Sequence, residues 1–188
     1  MCKVCEAGGS GRLSTIDEPG AVPAPLHLHR TTVRPEWVDY NGHMSEWSYL
    51  LVMGDSSDAL FRYVGIDEAY RAAGCSLFTV ETHIRNLLEA DEGDELDSTL
   101  QLLGVDAKRV HLAHEIIGPH GRLIATGEQL LLHVDTATGR VRPLPPAVSV
   151  RFQQITDAHA ALPRPGWVGQ VMTLPAGTTA RQAKGAVG

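Results

Sequence analysis

Residues 46–64 read EWSYLLVMGDSSDALFRYV, and the spacing of their apolar positions decides the fold. Trp47, Leu50, Leu51, Gly54, Leu60, Phe61 and Val64 fall near one stripe at helical period, which predicts a single long amphipathic helix. Ser45 is a suitable N-cap and Gly65 a suitable stop. The stripe is small at Gly54 and Ser57, where a sheet is expected to approach the helix backbone. On the N-terminal side, a strand over 27–38 runs into Asp39-Tyr40-Asn41-Gly42, whose Asn-Gly step signals a turn. On the C-terminal side a short helix over 67–73 is followed by strand patterns over 76–87, 95–106, 109–117 and 123–135. Turn sequences such as Asp91-Glu92-Gly93-Asp94 and Gly118-Pro119-His120-Gly121 separate them. One strand, a long helix and then consecutive strands make an α+β order, with the helix laid on an antiparallel sheet. Within 76–87, Phe78, Val80 and Ile84 alternate with Thr79, Glu81, His83 and Arg85, so one sheet face is apolar and the other polar. One helix leaves much of a five-stranded sheet open, and self-association as a homodimer or a dimer of dimers is the expected remedy.

The chain has 188 residues, of which 43 % are hydrophobic, enough to close a core in one domain without staples. Its 16 Lys+Arg against 22 Asp+Glu give a net charge of −6, with no basic cluster longer than a pair, which argues against a nucleic-acid partner. No apolar run approaches the roughly 20 residues of a spanning helix, and the first residues lack the apolar stretch of a secretory signal. No membrane partner and a cytoplasmic location are therefore expected. The 19 Gly and 11 Pro gather towards the ends. They suggest a flexible leader over 1–24, a folded domain over 25–145 and a largely flexible extension over 146–188. Three cysteines, Cys2, Cys5 and Cys75, are an odd number that speaks against a disulfide framework, and Cys2-x-x-Cys5 has no second pair at zinc spacing. No metal is expected. His111 and His114 are expected on opposite faces of one strand and His27 and His29 on one face of another, hydrogen-bonded or solvated rather than ligating.

Residues 36–49, EWVDYNGHMSEWSY, hold the densest set of chemically active side chains. They lie on a strand-to-helix turn, and a helix start offers unpaired backbone N–H groups that can hold a developing oxyanion. Asp39 stands just before that turn, where its carboxylate can activate water or attack directly, and His43 can donate a proton or a hydrogen bond. Asp39 and Asn41 serve equally well as simple turn residues, and His43 as a helix cap.

The same stretch resembles the hotdog-fold thioesterases of the 4-hydroxybenzoyl-CoA thioesterase type, in which an Asp three residues before a Gly precedes the long central helix. Asp39, Gly42 and Tyr49 stand in that register, and the likeness extends through FTVETHIRN at 78–86, LGVDAKRVHLAHEI at 103–116 and ATGEQLLLHVD at 125–135. Within that superfamily DYNGHMSE, VETHIR and GEQLLLHVD look most like the betainyl-CoA thioesterases, an activity often carried by a C-terminal domain of bacterial L-carnitine dehydrogenases. No Gly-rich dinucleotide-binding turn occurs here, so a stand-alone form is expected. The resemblance implies a hotdog fold, a five-stranded antiparallel sheet wrapped around one central helix. It also implies hydrolysis of an acyl-CoA to a carboxylate and CoA, with no cofactor beyond the CoA of the substrate. Asp39 then becomes nucleophile or general base, and the Glu46 backbone N–H polarises the thioester carbonyl. Ser45 stands where many members have Asn, and Asn86 where the betainyl-CoA group tends to have His.

A betaine acyl group carries a trimethylammonium cation that donates no hydrogen bond, so aromatic faces and carboxylates must hold it. Trp37, Tyr40, Trp47 and Tyr49 crowd the motif, and Asp58 and Glu81 are the candidate counter-charges. Trp47 and Tyr49 are equally acceptable as core residues, and Asp58 or Glu81 as a structural hydrogen-bond partner. Arg85, Lys108 and Arg109 are the candidates for the CoA phosphates. Two other functions remain open on these residues: a thioesterase for a neutral short-chain or aromatic acyl-CoA, and a non-catalytic acyl-CoA-binding module.

Overall fold

The computed structural model describes residues 21–174. Strand β1 (Leu26–Thr32) leads through a 3-10 turn at Pro35–Trp37 to helix α1 (Glu46–Tyr63), followed by the short helix α2 (Glu68–Ala72). Strands β2 (Cys75–Asn86), β3 (Glu95–Val105), β4 (Arg109–Ile117) and β5 (Leu123–Asp135) follow, then a two-residue β6 (Arg140–Val141) and helix α3 (Pro146–His159). The strands form one antiparallel sheet in the order β1-β3-β4-β5-β2, with β6 paired to the end of β5. The α+β order, the long helix and the four later strands are as expected. The first strand is shorter, because Pro35 removes a ladder donor and starts the 3-10 turn.

The face that α1 turns to the sheet differs from the expected stripe. Ser48, Tyr49, Val52, Met53, Ser56, Ser57, Leu60 and Phe61 are buried, while Trp47, Leu50 and Leu51 are exposed on the other side. Ser57 faces inward because the sheet presents polar partners. Ser57 Oγ donates to Gln129 Oε1 on β5 (2.9 Å) and lies 3.3 Å from His114 Nε2 on β4. His29, Ser98 and Ser56 are further polar side chains with buried atoms among the described residues. Strand register carries His29, Ser98, His114 and Gln129 onto the helix side, in a polar seam between two apolar clusters. One cluster gathers Leu60, Phe61, Leu100, Leu112 and Phe152, the other Trp37, Met44, Tyr49, Met53 and Ile116. The close approach of helix and sheet falls at Gly127 of β5, where an added β-carbon would collide with the buried Met53 Sδ, and not at Gly54, which faces open space.

A bulge between His27 and His29 puts His27 on the outer face beside Asp97 (3.0 Å) and His29 on the helix side, so these two histidines do not share a face. His111 and His114 do lie on opposite faces, His111 pairing with Glu128 (2.7 Å) on the outer side. Cys75 is buried and disulfide-bonded, because an odd count of three still leaves one pair. Cys2 and Cys5 lie outside the described residues.

The region after 145 departs from the expected flexible extension. Val148, Phe152 and Ile155 of α3 complete the first apolar cluster, and His159 Nδ1 accepts the Leu102 N–H (2.9 Å) that the β3 bulge frees. The chain then crosses the outer face of the sheet. Gln101 donates to Pro163 O (3.4 Å), Gly169 N–H to Glu128 Oε2 (2.7 Å) and Arg85 to Gln170 Oε1 (3.3 Å), contacts on β3, β5 and β2 in turn. Although burial opposes it, the Gly169 N–H and His111 hold the Glu128 carboxyl below its ordinary range. No helix among the described residues is long and apolar enough to cross a membrane.

Candidate active site

The segment between β1 and α1 folds into a small hairpin. Val38 bridges Met44, the Asp39 N–H donates to His43 O (3.0 Å), and the Gly42 N–H returns to Asp39 O (3.0 Å). Gly42 has φ +86°, a conformation that L side chains rarely adopt, so a glycine is required for the turn to close. Asn41 fixes the Asp39 carboxylate: its backbone N–H donates to Oδ1 at 2.7 Å, and its side-chain amide reaches Oδ2 only at 3.5 Å. Oδ2 is thus the more available oxygen of a half-buried, oriented carboxylate.

The start of α1 is built to stay open. Ser45 has the side chain of a strong N-cap, yet makes no side-chain capping bond. Its hydroxyl donates instead to Trp37 O (2.9 Å), while its backbone N–H donates to the same carbonyl (2.8 Å). Among the described residues neither the Glu46 nor the Trp47 N–H has a protein acceptor. Two donors at the positive end of an 18-residue helix therefore face outward beside the Asp39 turn, an arrangement suited to an oxyanion.

A cleft of about 470 Å³ opens at this helix end. Met44, Glu46 and Tyr49 line it from the helix side and residues 86–89 from the end of β2, held there by the Met44 N–H donating to Ala90 O (2.8 Å). Tyr49 is buried, and its hydroxyl donates to Leu88 O (3.4 Å). Burial raises the Tyr49 hydroxyl above its ordinary value; the Ala90 backbone opposes this and the Glu89 charge adds to it. His43 Nε2 lies 3.5 Å from Glu89 and 3.7 Å from Asp91, so it faces the loop carboxylates; no hydrogen bond joins the imidazole to the Asp39 carboxylate among the described residues.

Asp39, Asn41, His43, the Glu46 N–H and Tyr49 are thus brought to one end of the fold. The other expected residues are not. Trp37 is buried in the core with the Arg34 guanidinium 5.0 Å from its ring centre, so that face is already occupied. Tyr40 projects from the turn at 97 % exposure, and Trp47 lies on the outward side of α1. Asp58 is exposed on α1 and 3.8 Å from Arg62, one turn on, and is not in the cleft. Glu81 pairs across to Leu130 on the outer sheet face, away from α1. Arg85 shares that outer face, bound to Gln170. Lys108 and Arg109 sit in the β3–β4 hairpin at the opposite end of the sheet from α1's start, where Arg109 is bound to Asp106 (2.6 Å) and helps hold that carboxyl down at about 2. Glu89, which the sequence reading passed over as a loop residue, joins the site instead. No group of three or more metal-ligating side chains occurs among the described residues.

Residues 33–152 match the model of the thioesterase-like superfamily. Over 145 residues, 77 % of this chain, the sequence is 52 % identical to an Agrobacterium fabrum protein named L-carnitine dehydrogenase/betainyl-CoA thioesterase, of which the match covers 30 %. It is 44 % identical over 152 residues to the betainyl-CoA thioesterase of Pseudomonas aeruginosa, covering 80 % of this chain and 96 % of that one. A Pseudomonas putida crystal structure, described as a candidate thioesterase, superposes with a TM-score of 0.72 at 34 % identity, covering 82 % of this chain and 99 % of that one. A Staphylococcus aureus protein solved with CoA gives a TM-score of 0.73 at 25 % identity, covering 83 % and 100 %. The chain thus spans under a third of the first of these relatives and nearly all of the second, and the family match over 33–152 takes in the Asp39 turn, α1 and strands β2 to β5. It belongs to the thioesterase-like superfamily.

Proposed function

We propose that this chain hydrolyses betainyl-CoA to betaine and CoA, a step of carnitine breakdown. The observation that carries the reading is the α1 start left uncapped beside the oriented Asp39 carboxylate, in a chain 44 % identical to a betainyl-CoA thioesterase along nearly its whole length. The thioester oxygen accepts from the Glu46 and Trp47 N–H groups, which favours the tetrahedral state over the planar carbonyl. Asp39 Oδ2 either adds to the carbonyl carbon, giving a mixed anhydride that water then opens, or takes a proton from water as that water adds. In both routes the C–S bond breaks, one water is consumed, and the carboxylate and the CoA thiol leave. The His43 imidazole stands at the Glu89–Asp91 rim and does not relay protons to Asp39. No cofactor enters this scheme, since CoA arrives as part of the substrate. Thiol release from a panel of betainyl-, acetyl-, butyryl- and 4-hydroxybenzoyl-CoA tests it. The expected result is a kcat/KM for betainyl-CoA at least tenfold above the others; a preference for butyryl- or 4-hydroxybenzoyl-CoA would assign a neutral acyl group instead.

The active form in this reading is a homodimer. Among the described residues β2 is a 12-residue strand paired on one side only, and its exposed Phe78 and Val80 lie on an edge open to a second copy. Light scattering after gel filtration should give twice the mass of the chain, and Val80→Lys should give a single chain of unchanged circular dichroism. A dimer that survives Val80→Lys would move the interface away from this edge.

A further inference from the structure

Betaine places its cation one methylene from the reacting carbonyl, and that short reach narrows the search for what holds it. Once the carbonyl oxygen rests on the Glu46 and Trp47 N–H groups, the trimethylammonium has to lie within the same cleft at the head of α1. Asp58 is 12 residues further along the helix, about 18 Å at 1.5 Å per residue, and Glu81 is on the far side of the sheet. Neither reaches. The cation also meets the partial positive charge of the helix start, about half a unit, which repels it. A site that accepts it must therefore bring negative charge of its own to the helix head.

The cleft does so. Its lining has two carboxylates, Glu46 from the first turn of α1 and Glu89 from the loop after β2, and neither Lys nor Arg. The buried Tyr49 ring forms part of the wall on the helix side, and the Glu89 charge is felt at its hydroxyl. We infer that Glu89, with the Glu46 side chain and the Tyr49 ring, forms the subsite that selects a quaternary ammonium acyl group over a neutral one of the same shape. A trimethylammonium offers no N–H, so its attraction to carboxylates is coulombic and tolerant of direction, and to an aromatic ring it is cation–π. Solvated, movable glutamates at the rim suit that need, where a rigid bidentate carboxylate would gain nothing. His43 Nε2 stands 3.5 Å from Glu89 at the same rim.

This inference rests on the betainyl-CoA reading, and one pair of substrates separates the two. 3,3-Dimethylbutanoyl-CoA has the outline of betainyl-CoA with carbon in place of the cationic nitrogen. The quantity to measure is the ratio of kcat/KM for betainyl-CoA over this neutral isostere, in the full chain and in Glu89→Gln, Glu46→Gln and the double variant. Both side chains are exposed, so the variants should fold, and melting curves check this. We expect the ratio to fall about tenfold in Glu89→Gln and further in the double variant. A ratio that moves less than twofold in the folded double variant would overturn the subsite while leaving betainyl-CoA as the substrate. A wild-type chain that cleaves the isostere but not betainyl-CoA would overturn the substrate reading and the subsite together.

Discussion

Asp39→Asn should lower kcat for thioester hydrolysis by about 10²–10⁴-fold with little change in melting temperature. The amide keeps the size of the carboxylate and an oxygen that can still accept the Asn41 N–H, now at 2.7 Å, so the turn survives. What it loses is a negatively charged oxygen at Oδ2, the one atom of the pair without a short partner. Either chemical route needs that atom, so the loss is expected in kcat more than in KM. A rate within threefold of wild type would remove Asp39 from the chemistry and leave it a turn residue. Quench experiments in ¹⁸O-water, run for a single turnover, then test the anhydride route: label in Asp39 shows that an anhydride forms and that water opens it at the aspartyl carbon.

The second large effect concerns stability in acid. His114 is fully buried on the helix side of β4, with Nε2 3.1 Å from Gln129 Oε1 and Nδ1 without a partner among the described residues. Burial lowers its pKa to about 4, the bond to Gln129 only partly opposing. The unfolded chain binds this proton near pH 6.5 and the folded chain near 4, so the folded state is disfavoured as pH falls between those values. Stability from this group is therefore complete above about pH 6.5 and declines towards pH 4, by about 3 kcal/mol in all at 1.4 kcal/mol per unit. Burial lowers His133 and His159 as well, and they act in the same sense. Urea denaturation at pH 7.5 and 5 should show the decline, and His114→Gln should flatten it even while costing stability at neutral pH. Equal slopes in wild type and variant would show that the acid sensitivity lies elsewhere.

What was legible in the sequence is what local periodicity and turn chemistry determine. Helix α1 ends within a residue of its expected limits, β2 to β5 likewise, and the Asp39–Gly42 turn is where Asn-Gly placed it. The sense of rotation of α1 was not legible. Trp47, Leu50 and Leu51 outweigh Ser56 and Ser57 on any apolar scale, and only the facing His114 and Gln129, far away in the chain, make the serine side the inner one. Strand faces fail for a similar reason at His27 and His29, since a single bulge inverts everything beyond it. Helix α3 did carry a usable signal: Pro146 at the first helical position, then Val148, Phe152 and Ile155 at spacings of four and three. The abundance of proline and small residues around it obscured that pattern. Of the candidate site, the Asp39 turn was visible and the cleft wall at Glu89 was not. Glu89 reaches the helix head only because Met44 bonds to Ala90, a contact between a turn and a loop some 45 residues apart for which no local pattern exists.

The hydroxyl of Ser45 has one further consequence. Turned inward, that side chain would complete the helix and contribute about 1 kcal/mol to the resting protein. Bound to Trp37 O, it withholds that contribution. In the proposed reaction, an oxygen of the substrate docking on the two open donors would recover it. The resting fold thus forgoes a little stability at the point where the proposed chemistry needs open donors.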